Sequence, residues 1–167
     1  YPNCPIHLQL PQLRTPSGVG SFVDNDTGKV THSLMLTLDE HKVPGTPAFK
    51  FVSLIRDIEE RLIDVAFEAK KPWFANARNP SERLSRDVIA GKLTSKVKFD
   101  KDGKYNDPSV TVKVYANDEG LYTFEAYNRQ GVEISPHMIE KGSRVGTIVQ
   151  VGGYCNSSSF GLVFTIR

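Results

Sequence analysis

Short stretches in which apolar residues alternate with polar ones constrain this chain more than any other feature of its sequence. Val110, Val112 and Val114 alternate with Thr111 and Lys113. A period of two predicts a strand with one face toward a core. Similar short β-type stretches, separated by Gly, Asn and Asp, cover residues 97–99, 121–127, 144–151 and 160–166. The pattern predicts five short strands between residues 93 and 167.

The first half of the chain predicts two more strands and a long helix. Alternation from Ile6 to Leu10 and from Leu34 to Leu38 indicates the strands. Thr46 is typical of an N-cap, and Pro47 suits the first helical position. The helix is expected over residues 46–71, with Glu59 on its wet face. Its apolar residues recur at helical spacing: Phe51, Val52, Leu54, Ile55, Ile58, Leu62 and Val65. A second, short helix is predicted from a cap at Asn79 to about Gly91.

A length of 167 residues suits one domain. We therefore expect an α+β, mainly β protein: a five-stranded antiparallel barrel of the oligonucleotide/oligosaccharide-binding (OB) type, with a long helix and additional N-terminal strands. Residues 1–79 are the β-β-helix part and residues 80–167 the barrel part. Trp73 is expected to clamp the helix to the sheet. Four rings are expected to fill the barrel: Phe99, Phe124, Phe160 and Phe164.

Composition excludes several classes of protein. Lys and Arg number 21 against 19 Asp and Glu, a net charge of +2, which is mild for a nucleic-acid binder. Cations are denser between residues 92 and 113, and no stretch approaches the roughly 20 apolar residues of a membrane span. Cys4 and Cys155 lack a disulfide framework or secretory signal, so reduced thiols and an intracellular location are expected.

Neither a catalytic nor a metal signature is found. The sequence lacks a G-x-x-x-x-G-K-[ST] phosphate loop and a Ser-centred elbow. Asp57, Glu60 and Asp64 belong to the helix, where a solvated face explains them. The loop that begins at Asp24 has a calcium-type start, but its twelfth position is Met35 rather than Glu. No enzyme activity, metal or cofactor is therefore predicted.

The exposed strand faces predict binding to a polyanion with accessible bases. Because the valines of residues 109–115 occupy one face, Lys113 and Tyr115 occupy the other. Rings on a β-surface stack on bases, and adjacent cations contact phosphates. Candidate phosphate ligands are Lys96, Lys98, Lys113 and Arg144. Candidate stacking residues are Tyr115 and Tyr154, the latter expected in a Gly-rich turn, with Lys104, Tyr105 and Arg129 as secondary candidates.

The predicted partner is single-stranded DNA or RNA, bound without strong sequence preference. Two alternatives stay open. Lys96 and Lys98 also fit the solvated side of a strand, and the same faces also suit a protein-interaction adaptor, because aromatic residues and Arg are enriched at protein interfaces. Self-association is left open.

Three stretches resemble a known family: the passage 84–99 (LSRDVIAGKLTSKVKF), the strand 105–114 (YNDPSVTVKV) and the ending 139–150 (IEKGSRVGTIVQ) with FGL at 160–162. They resemble the single-stranded-DNA-binding proteins of nucleocytoplasmic large DNA viruses, the group that includes African swine fever virus. This similarity implies a location in the host cytoplasm or the virion. It covers residues 80–167, while the first half matches only in its β-β-helix layout. The resemblance implies an OB-type core that binds single strands in viral DNA replication, repair or genome protection.

Overall fold

A computed structural model describes residues 4–26, 28–69, 73–74, 84–99, 107–117 and 119–167. The architecture is mixed α+β, mostly sheet, with one long helix. In chain order its elements are β1 (Ile6–Gln9), β2 (Leu13–Arg14), β3 (Val19–Val23), β4 (Val30–Thr37), α1 (Pro47–Glu68), α2 (Arg86–Ala90), β5 (Leu93–Thr94), β6 (Val97–Lys98), β7 (Ser109–Val114), β8 (Ala126–Tyr127), β9 (Glu133–Ile134), a 3-10 turn (Pro136–Met138), β10 (Arg144–Val145), β11 (Ile148–Cys155) and β12 (Phe160–Ile166).

Ten of the described strands form one sheet, in which strands from both halves of the chain are neighbours. Its main order is β1-β11-β12-β7-β4-β2-β10, with β3 on β4, β5 on β12 and β6 on β7. β12 runs parallel to β5 and β7, and the other pairs are antiparallel. The predicted five-stranded antiparallel barrel of residues 93–167 is not found in the described residues. Alternation reveals which face of a strand is buried, but it does not reveal the strand's partner.

The core lies between the inner face of this sheet and α1. Leu36, Val110, Val112 and Phe164 are fully buried, and the Phe51 ring of α1 packs 6.4 Å from the Phe164 ring, measured between centroids. A second cluster joins the end of α1 to α2 through Ile63, Ala66, Phe74, Ile89 and Phe160. The alternating apolar residues therefore do form the predicted core face.

Three of the four phenylalanines predicted in the core are buried there: Phe124, Phe160 and Phe164. The prediction was wrong for Phe99, whose side chain is 56% exposed beyond the end of β6, with its ring edge-on to His41. Trp73 is 37% exposed and lies edge-on to Phe160, 5.7 Å between centroids. It therefore contacts the sheet at the rim of the second cluster.

The long helix begins where the sequence predicts. The Thr46 hydroxyl accepts a hydrogen bond from the Phe49 amide at 3.2 Å, and Pro47 occupies the first turn. The last helical residue is Glu68, three residues before the predicted end at residue 71. Leu54 and Val65, both predicted on the buried face, are instead exposed. The apolar stripe is narrower than the spacing suggested, because α1 meets the sheet along only one side.

The second helix is shorter than predicted. In the described residues α2 begins at Arg86, and the Ser85 hydroxyl caps it by accepting from the Val88 amide. The predicted cap at Asn79 and the boundary at residue 80 between the two parts of the domain lie outside the described residues. The division into 1–79 and 80–167 therefore stays a prediction.

Residues 121–127, predicted as one strand, instead belong to a small separate unit. Tyr122 makes a single bridge to Ala116, and β8 pairs with β9 in a two-stranded sheet. The Asn117 and Asn128 side-chain carbonyls each accept two backbone N–H groups, which fixes a turn on either side of the segment. A 3-10 turn at Pro136–Met138 follows β9.

Candidate nucleic-acid interface

The outer face of β7 lies near the middle of the large sheet. Thr111, Lys113 and Tyr115 are exposed while the intervening valines are buried, as the alternation predicts, and Tyr115 keeps 53% of its surface in water. Lys113 stands between Ser33 of β4 and Thr165 of β12. Because these neighbours are short and polar, the Lys113 amine has open space above the sheet.

Two more lysines lie beside β7, one on the neighbouring strand β6 and one at the residue that precedes it. Lys98 is exposed opposite Ser109. Lys96 is half-buried: its amine donates to the Thr111 carbonyl and lies 5.0 Å above the Phe164 ring. Burial, followed by the nearby charges of Lys113 and Lys98, lowers the pKa of Lys96 to about 8. Lys98 and Lys113 are thus exposed ligand candidates, whereas Lys96 is held by contacts inside the protein.

A buried glutamate fixes the position of Lys96. Glu59, predicted on the wet face of α1, is only 8% exposed. One of its carboxylate oxygens accepts the Lys96 amide at 2.6 Å, and the other accepts the Ser95 hydroxyl at 3.0 Å. Ser95 and Lys96 lie between β5 and β6, outside the strand ladders. The Glu59 carboxylate therefore supplies a hydrogen-bond acceptor that a neighbouring strand does not provide. The prediction for Glu59 was wrong because helical position alone does not show that a partner segment will supply donors.

A cleft of about 790 Å³ opens between the β8–β9 hairpin and the ends of β10, β11 and β12. Its walls carry three cations, namely Arg129, Arg144 and Arg167, together with the Tyr127 ring. Of these, the sequence predicted Arg129 and Arg144 and missed Arg167 and Tyr127. The alternation along β12 could have indicated Arg167. Phe164 and Ile166 point into the core, so the next residue, Arg167, is expected to point outward.

Side-chain contacts orient the groups of this cleft. The Arg167 guanidinium donates to the Gln150 side-chain carbonyl at 2.6 and 2.9 Å. The Tyr127 hydroxyl donates to Glu125 at 2.6 Å, and that hydrogen bond raises the pKa of Tyr127. Glu125 is a lining residue too, so one carboxylate lies among three guanidiniums. The cleft wall nevertheless has a positive excess.

The β7 face and the cleft are adjacent. β7 and β12 run parallel with Lys113 opposite Thr165. Tyr115 follows β7 and Arg167 follows β12, each one residue beyond its strand, so both lie at the same end of this parallel pair. Arg167 also lines the cleft. We call this continuous region the interface surface: Lys98, Lys113, Tyr115 and Arg167 on the sheet, and Arg129, Arg144 and Tyr127 in the cleft.

Tyr154 lies away from the cleft, toward the opposite end of β11. It lies in β11 rather than in a turn, and its ring packs against Gly161 of β12. It is six residues from Ile148, the cleft end of β11, which is about 20 Å along an extended strand. Lys104 and Tyr105, the other secondary candidates, lie outside the described residues.

Two of the α1 carboxylates that the sequence offers for a metal site are paired with an arginine. Glu60 and Asp64 of α1 both accept hydrogen bonds from Arg86 of α2, at 2.8 and 3.0 Å. Within the described ranges, no group of three or more His, Cys, Asp or Glu residues is placed to hold a metal ion. The described helices also include none long and apolar enough to cross a membrane.

Comparison with known proteins gives matches only among solved structures. No family model matches the chain, and no curated protein matches it. The single-stranded DNA-binding protein from bacteriophage Enc34 aligns at 14% identity, covering 96% of this chain and 78% of that one, with a TM-score of 0.44. A C-terminal truncation of that phage protein aligns at 11% identity, covering 96% and 82%, with the same TM-score of 0.44.

Proposed function

We propose that this protein binds single-stranded DNA or RNA along the interface surface, without strong base selectivity. The observation that carries the proposal is the continuity of exposed cations and rings from Lys98 across Tyr115 to the cleft arginines. Rings stack on any base, and Lys and Arg follow the phosphates, so this combination suits a flexible strand better than a duplex. Binding rather than catalysis is proposed because no catalytic signature was found.

An OB-type core is part of the proposal. The pairing order supports it: residues 6–14 pair with β10 and β11 on one side and reach β4 through Arg14 opposite Thr37 on the other. The same segment therefore contacts both ends of the run β11-β12-β7-β4. The similarity of residues 84–99 and 105–114 to viral single-strand binders supports a role in replication, repair or protection of a viral genome.

The test is a titration of labelled single-stranded and duplex oligonucleotides at two salt concentrations. We expect tighter binding to the single strand, with log affinity falling by about 0.7 per log unit of salt for each neutralised phosphate. Equal or tighter duplex binding contradicts the proposal. Binding to neither nucleic acid favours the protein-adaptor alternative.

Single substitutions then locate the binding surface. Lys113→Ala should flatten the salt slope by about 0.7, and Tyr115→Ala should cost about 1–3 kcal/mol of binding free energy through lost stacking. Lys50→Ala, at an exposed lysine of α1, is the matched control and should bind like the wild type. If both test variants also behave like the wild type while folded, β7 is not the binding surface.

A further inference from the structure

Two arginines face each other across neighbouring strands at the edge of the cleft. Arg14 of β2 and Arg144 of β10 are register partners. Their side chains are 50% and 58% exposed. Like charges directly opposite on a sheet destabilise the pair, so this placement needs a compensating group.

Asp39, just beyond β4, is that group, and it compensates only in part. One of its oxygens lies 3.7 Å from Arg14 Nε and 3.6 Å from Arg144 Nη2, in each case too far for a hydrogen bond. Its other oxygen is buried and has no hydrogen-bond partner among the described residues. One carboxylate thus faces two guanidiniums, and the cluster keeps a net charge of +1.

The cluster borders the cleft. Arg144 lines the cleft and also a second cavity of about 200 Å³, whose wall includes Asp39, Glu40 and Thr37. Neither arginine makes a side-chain hydrogen bond within the described part of the chain. Their N–H groups are therefore free to bind an anion.

We propose that Arg14 and Arg144 together bind one backbone phosphate of the strand, and that Asp39 competes with that phosphate for the two guanidiniums. Guanidinium forks match the paired oxygens of a phosphodiester, and two forks in register can take both non-bridging oxygens. Arg14 thereby becomes part of the binding site. Asp39 acts as an internal anion that weakens the site, because the incoming phosphate must displace it. This inference rests on the proposed function.

The test uses the full chain and a labelled oligo(dT) at two salt concentrations. Arg14→Gln should weaken binding about three- to tenfold and reduce the salt slope by about 0.7, because one phosphate contact is lost. Asp39→Asn should strengthen binding about three- to tenfold, because the competing charge is gone. Arg56→Gln, at an exposed arginine of α1, is the matched control and should leave affinity unchanged.

Opposite results overturn the inference. If Arg14→Gln keeps the wild-type affinity and salt slope, no phosphate contacts the arginine pair. If folded Asp39→Asn binds no more tightly than the wild type, Asp39 does not compete with the phosphate. If Asp39→Asn fails to fold, Asp39→Glu decides the point. The longer glutamate side chain should still pair with the arginines, so the affinity should stay at or below the wild-type value. Tighter binding by Asp39→Glu refutes competition. In all these outcomes the wild type still binds. A wild type that binds no strand removes the proposed function itself.

Discussion

Lys96 should make the stability of the protein rise with pH in a defined window. Its pKa is about 8 in the folded protein against 10.5 in a free side chain. Between these values the unfolded chain holds a proton that the folded protein has lost, so alkali favours the folded state. Below pH 8 both states are protonated, and this contribution to the slope vanishes.

The size of the effect follows from burial. One proton gives at most about 1.4 kcal/mol per pH unit. Because the amine keeps some contact with water, we expect a gain of about 1–2 kcal/mol in unfolding free energy across the window. Urea unfolding at pH 7, 8, 9 and 10 measures it, and subtracting the curve for Lys96→Met removes groups common to both proteins. Lys50→Met, at an exposed lysine of α1 that does not contribute to the lowered pKa of Lys96, should keep the wild-type slope. The difference in unfolding free energy, wild type minus Lys96→Met, should rise with pH in this window. A difference that is flat or falls with pH refutes the reasoning.

Three further predictions concern stability. Glu59→Gln should lower the unfolding free energy by about 1–3 kcal/mol in urea titrations, since a buried donor loses its charged acceptor; an unchanged midpoint contradicts the buried role. Thr46→Ala removes the cap of α1 and should cost about 1 kcal/mol, or about 2–4 °C in Tm by circular dichroism, whereas an unchanged Tm implies an unneeded cap. Phe164→Ala should cost about 3–5 kcal/mol, but Phe99→Ala less than about 1. Equal losses at the two phenylalanines would return Phe99 to the core.

Local features of the fold could be predicted from the sequence, and pairings could not. The valines of β7 show the buried face because period-two burial is a property of one strand. Thr46 shows a helix start because capping uses neighbouring backbone groups. The parallel contact of β7 with β12 and the contact of β1 with β11 depend on residues far apart in the chain, and alternation carries no record of them.

Contacts between residues far apart in the sequence also explain which parts of the candidate site could not be predicted. Lys113 and Tyr115 were predicted on the outer face, and the structure confirms that position. Lys96 alternates like an exposed residue, yet it is half-buried because Glu59, 37 residues earlier, holds its amide. Arg167 was missed because the cleft that it lines exists only once the β8–β9 hairpin faces the end of the sheet.

The pairing of β1 with β11 sets an order of events during synthesis. Residues 6–9 find their partners only at residues 148–151, so β1 lacks this neighbour until residues 148–151 have left the ribosome. Contacts this distant in sequence make folding slow and leave strand edges exposed in the meantime. A fragment that ends after α1 would carry β1 and β2 without their C-terminal ladders. Such a fragment should stay unfolded or aggregate.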